Sequence, residues 1–74
     1  MTVYTHQQLI HRIIKDLIVD IRFSTQMIKS SPNIREIQEE EAYLDLNTKR
    51  LKKVLRNRHT LKLNRYGSPN YNEL

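Results

Sequence analysis

The 74 residues include thirteen Lys and Arg against eight Asp and Glu, for a formal net charge of +5, with 38% hydrophobic residues, one Gly and no Cys. That bounds the chain to one small domain. It excludes disulfides and thiolate metal sites, and a single Gly excludes glycine-rich phosphate loops.

The first element opens at Thr5. Thr5 and Gln8 have the spacing of a capping box, in which each side chain satisfies the other's backbone N–H. Ile10, Ile14, Leu17, Ile21, Ser24 and Ile28 then recur at alternating steps of four and three, the seam of a helix packed on another helix. Ile13 and Ile18 widen that seam. The pattern predicts a helix over residues 5–29.

Ser30-Ser31-Pro32-Asn33 is the internal break. Pro suits a first helical position, where its missing N–H costs nothing, so Ser31 is expected as the next cap. A second helix is expected over residues 32–64. Its seam reads Ile34, Ile37, Glu41, Leu44, Thr48, Leu51, Leu55 and Arg58. Gly67 and Pro69 punctuate its end, and residues 66–74 are expected as a flexible tail. No strand pattern and no internal repeat is visible.

A turn this short makes the helices antiparallel neighbours, so the fold class is all-α, an antiparallel two-helix hairpin over residues 1–65. Centring the turn near Ser31 brings Ile28 to Ile34, Leu17 to Leu44 and Ile10 to Leu51. Arms of ~25 residues would span roughly 38 Å. One seam between two helices supplies a core of only a few kcal/mol, so a partner is expected. Val19, Phe23, Tyr43, Leu46, Val54 and Leu61 lie away from the seam, and they are the expected protein interface. The favoured assembly is a homodimer forming a four-helix bundle. Ser24, Glu41 and Thr48 interrupt the seams, as residues that set register commonly do.

Charge is sorted along the chain. Residues 32–48 carry Glu36, Glu39, Glu40, Glu41 and Asp45 against Arg35. Residues 49–65 carry Lys49, Arg50, Lys52, Lys53, Arg56, Arg58, Lys62 and Arg65 with no acid at all. Complementing the helix dipole explains some cations near a C-terminus, but like charges one turn apart repel. The facing arm, residues 4–11, brings no carboxylate. An uncompensated basic helix is the footprint of a polyanion binder. The eight cations are therefore the expected nucleic-acid-binding residues, DNA or RNA, with Tyr66 and Tyr71 placed to stack on unpaired bases. The alternative is an acidic protein surface: a small regulator or inhibitor, of the phage or mobile-element type, docked on a larger target. A membrane-surface role is set aside because the apolar residues are committed to the bundle.

No enzyme is expected. His6, His11 and His59 have no metal-ligand spacing, and His6 and His11, five apart, point to different sides of a helix. Asp16 with Asp20 and Glu36 with Glu40 read as solvated pairs rather than catalytic carboxylates, which need a pocket that separates their pKa values. No catalytic residue, metal or cofactor is therefore assigned. No stretch approaches the roughly 18 apolar residues of a membrane span and no signal peptide is visible, so a cytoplasmic location is expected.

Overall fold

The computed structural model describes residues 4–71. Two helices pack against each other, α1 over His6–Ser30 and α2 over Ile34–Asn57, and the described residues form an all-helical hairpin measuring 43 × 28 × 17 Å. No helix among them is long and apolar enough to cross a membrane.

The start of α1 follows the capping box. The Thr5 hydroxyl accepts from the Gln8 N–H at 3.2 Å, and the Gln8 side chain accepts from the Thr5 N–H at 2.9 Å. Its end is set by Pro32, which disfavours helical geometry in the residue before it. Ser31 is accordingly extended, with φ −81° and ψ 131°, and its N–H donates to the Met27 carbonyl.

The second cap falls two residues later than expected. Asn33, not Ser31, caps α2, its side-chain carbonyl accepting from the Arg35 N–H at 2.9 Å. Ser31 still contributes, donating its hydroxyl to Glu36 at 2.6 Å and accepting from the Asn33 N–H at 3.3 Å. Pro32 thus lies in the link and not in the helix.

This small difference changes the register. A three-residue link over 31–33 centres the turn on Pro32, and in an antiparallel pair a one-residue move of the centre shifts the register by two. Ile10 and Val54 are then equidistant from the turn, as are Leu17 and Asn47, and Ser24 and Glu40. Ile10, Leu17, Ser24, Asn47 and Val54 are the buried residues of the two helices. The seam of α2 therefore runs through Glu40, Asn47 and Val54, and not through Glu41, Thr48 and Leu55. Leu55 is 45% exposed and Ile34 72%. Thr48 is half-buried and donates its hydroxyl to the Leu44 carbonyl at 2.7 Å.

The second helix also stops at Asn57, seven residues short of the expected end. A continuing helix would run past the start of α1 with nothing to pack on. Instead the Asn57 side chain donates back to the Lys53 carbonyl, and Thr60 N–H bonds the Asn57 carbonyl at 2.9 Å. The chain turns and lays Leu61 and Leu63 back on the hairpin. Leu61, 3% exposed, completes a core with Ile10, Leu17 and Val54. Ile13, Ile14, Leu51, Leu63 and Tyr71 pack around it.

The expected tail is therefore part of the packing as far as Tyr71, while its last three residues lie outside the described ones. The Asn64 side chain accepts from the Tyr66 and Ser68 N–H groups, and Leu63 and Pro69 form an isolated antiparallel bridge. Gly67 has φ +77°, the left-handed region that favours glycine, within this returning loop and not at a helix end.

Candidate nucleic-acid interface

The eight cations of residues 49–65 do not form one set. On α2, Lys49, Lys52 and Arg56 recur along the ridge opposite the Asn47–Val54 seam, and all three are exposed. Arg58, Lys62 and Arg65, beyond the helix, are exposed as well. Lys49 pairs with Asp45 at 2.9 Å, the one ion pair among the described residues. Both side chains are well solvated there, so the pair neutralises little of the local field. Arg65 lies 5.0 Å from the Tyr66 ring centre, and Tyr66 is 77% exposed.

Arg50 and Lys53 are turned to another task. Both are half-buried and reach Tyr71. The Arg50 guanidinium sits 4.9 Å from the Tyr71 ring centre, and the Lys53 ammonium donates to the Tyr71 carbonyl at 3.2 Å. Together they fasten the returning chain to α2. Arg50 Nε is buried with no hydrogen-bond partner, so the ring and the aliphatic stem hold this side chain. Tyr71, expected as a stacking platform for bases, is likewise committed to packing.

Burial pushes the Tyr71 phenol up from its ordinary value of 10.0, and the Arg50 charge pulls it partly back. A raised folded pKa means the neutral phenol is favoured in the folded state. Its stabilising contribution is full below the ordinary value and is lost as pH rises through the raised one. Denaturant melts of the native protein and of Tyr71→Phe should therefore diverge as pH rises past 10.0, with the native protein losing more stability. Parallel losses would place Tyr71 in water.

The expected protein interface also divides. Val54 is fully enclosed and Leu61 nearly so, and both belong to the hairpin's own core. The expectation placed Val54 outside because it centred the turn one residue early, and Leu61 because it ran α2 straight through residue 64. Val19, Phe23, Tyr43 and Leu46 are exposed as expected. Phe23 and Tyr43 line one groove with Asp20, Glu40 and Arg50, floored by Ser24 and Asn47.

A second groove, of about 350 Å³, opens at the other end of the hairpin. His6 and His11 line it from α1, and Arg58 and His59 from the segment after α2. Ile10 and Ile14 form its floor, with Gln7 at the lip. His6 and His11 are five apart, and sequence spacing sends them to different sides. They nevertheless share this groove because a second chain segment spans the gap between them. His6 Nε2 lies 2.7 Å from the Leu61 carbonyl, which fixes the ring against the returning chain. No group of three or more potential metal ligands is close enough to hold a metal ion among the described residues.

Comparison with protein-family models, with curated proteins and with solved structures finds no match to this chain.

Proposed function

We propose that the protein is a small non-enzymatic binder of nucleic-acid phosphates, acting through Lys52, Arg56, Arg58, Lys62 and Arg65. The observation that carries this reading is the scarcity of neutralising partners. Eight cations occupy residues 49–65, and Lys49 alone among them meets a carboxylate within the described residues. Such a density of charge releases counterions from a phosphate backbone and supplies affinity without reading sequence. The ridge of Lys49, Lys52 and Arg56 continues into the exposed Arg58, Lys62 and Arg65, so the cations suit a strand tracking one end of the hairpin.

Binding to a labelled duplex and to a single strand, measured over increasing salt, tests the reading. Five phosphate contacts give a slope of log affinity against log salt of about −4.5 for duplex and about −3.5 for single strand. No binding at low salt, or a slope near zero, overturns it.

The same reading includes a second copy of the chain. Four apolar side chains form the buried core of the described residues, a small reserve for a domain of this size. Val19, Phe23, Tyr43 and Leu46 are the apolar groups left for a homodimeric four-helix bundle, and Val54 and Leu61 are withdrawn from it. Sedimentation at micromolar concentration is expected to give a dimer that Phe23→Ser/Tyr43→Ser converts to monomer. A native protein that sediments as a monomer, but retains a protein partner after nuclease treatment, favours docking on a larger target instead.

A further inference from the structure

The second groove has a composition unlike the rest of the surface. It gathers all three histidines of the chain with one arginine. The titratable and charged groups facing it are His6 and His11 from α1, and Arg58 and His59 from the segment after α2. No carboxylate lines it among the described residues. A cleft whose every ionisable lining group is cationic, or becomes so on protonation, repels cations and attracts anions.

From this geometry we infer that the groove is a phosphate-binding site that is charged by its histidines. Arg58 is the permanent cation. It presents a planar fork suited to two phosphate oxygens. His6 is the oriented imidazole. A carbonyl can only accept, so the 2.7 Å contact with Leu61 requires a proton on His6 Nε2. In the neutral ring Nδ1 then carries the lone pair, and a second proton makes it a donor as well. His11 and His59 are exposed and carry no such tether, and each adds a donor and a charge when protonated.

Protonation of the three rings would take the groove from the one fixed cation of Arg58 to four. Its volume exceeds what a bare phosphate fills. The apolar floor of Ile10 and Ile14 suits the less polar part of a larger phosphate-bearing molecule. The shared chemistry is a phosphate oxyanion, whether free or carried on a nucleic acid. The proposal depends on the polyanion reading only for the second of these sources.

Linkage supplies the test. An anion that prefers the protonated rings must raise their titration midpoints by the same factor. The ring resonances of His6, His11 and His59 are followed by NMR across pH in chloride, in inorganic phosphate, and with a short single-stranded oligonucleotide, all at matched ionic strength. Sulfate, a dianion throughout the range, separates protonation of the protein from protonation of the ligand.

The expected result is an upward move of the His11 and His59 midpoints in phosphate and in sulfate. A tenfold preference for the protonated groove gives about one unit at saturation. Arg58→Gln is expected to abolish most of the shift, and His11→Gln to reduce it at His59. Both substitutions lie at exposed positions, and the amide dispersion of each variant checks its fold. Midpoints identical in chloride, phosphate, sulfate and oligonucleotide overturn the site.

A shift with phosphate but none with the oligonucleotide assigns the groove to free phosphate compounds and counts against the polyanion reading. A shift with the oligonucleotide alone assigns the groove to phosphate carried on a nucleic acid.

Discussion

Replacing Leu61 by alanine lowers the folding stability by about 2–4 kcal/mol, whereas the same truncation at Leu55 costs less than about 1 kcal/mol. The two side chains are chemically identical and six residues apart. Helical periodicity puts Leu55 in the seam and Leu61 on the outside. The structure reverses them, with Leu61 3% exposed and Leu55 45%. Leu61 also anchors a polar contact, since its carbonyl accepts from His6. Its side chain closes the core over Ile10, Leu17 and Val54, so truncation leaves a cavity and loosens the segment that carries Leu63 and Tyr71. A domain of this size has only a few kcal/mol in total, so Leu61→Ala should be partly unfolded without denaturant. Urea melts of both variants decide the matter. Equal losses at the two positions, or a larger loss at Leu55, would mean that α2 continues past Asn57 and that the returning chain is not packed.

The origin of that reversal shows which features a sequence makes legible. The start of α1 depends on two side chains three residues apart, and Thr5 and Gln8 announce it without reference to anything distant. The break at Pro32 is equally local. The two-helix hairpin follows from these signals and from the apolar repeat. The end of α2 is different, because no Gly or Pro lies at residues 58–60 to mark it. The helix ends where α1 runs out of length to pack on, a condition set by the position of the turn. The choice between Val54 and Leu55 is non-local in the same way. An alternating repeat of three and four admits either residue, and a one-residue difference in the centre of the turn selects Val54.

The candidate site was legible in composition but not in detail. Eight cations without an acid are plain in the sequence. That Arg50 and Lys53 face Tyr71 depends on the chain returning across α2, and that return begins at the helix end the repeat did not reveal. Likewise, three histidines at positions 6, 11 and 59 carry no spacing signal. They share a groove because the two ends of the hairpin meet.

This division among the cations predicts a dissociation between two double variants. Lys52→Glu/Arg56→Glu reverses two exposed charges on the outer ridge of α2, where like charges crowd one another. Its stability should stay within about 0.5 kcal/mol of the native protein or rise slightly. Its affinity for nucleic acid should fall by about 100-fold near 0.1 M salt, and its salt slope should shrink by about 2 units on duplex. Arg50→Gln/Lys53→Gln removes the ring contact and the hydrogen bond that hold Tyr71. The expected cost is about 1–2 kcal/mol of stability, from one cation–π contact and one charged hydrogen bond. Where this second variant remains folded, its affinity should fall only a few-fold, since the exposed ridge is intact and only diffuse charge is lost. Melts and salt-dependent binding on the same three proteins, the native one and the two variants, separate the two effects. If Arg50→Gln/Lys53→Gln abolishes binding while leaving stability untouched, these two side chains face the ligand rather than Tyr71, and the basic stretch acts as one surface after all. If Lys52→Glu/Arg56→Glu binds as well as the native protein, the outer ridge is an ordinary solvated helix face and the polyanion reading falls.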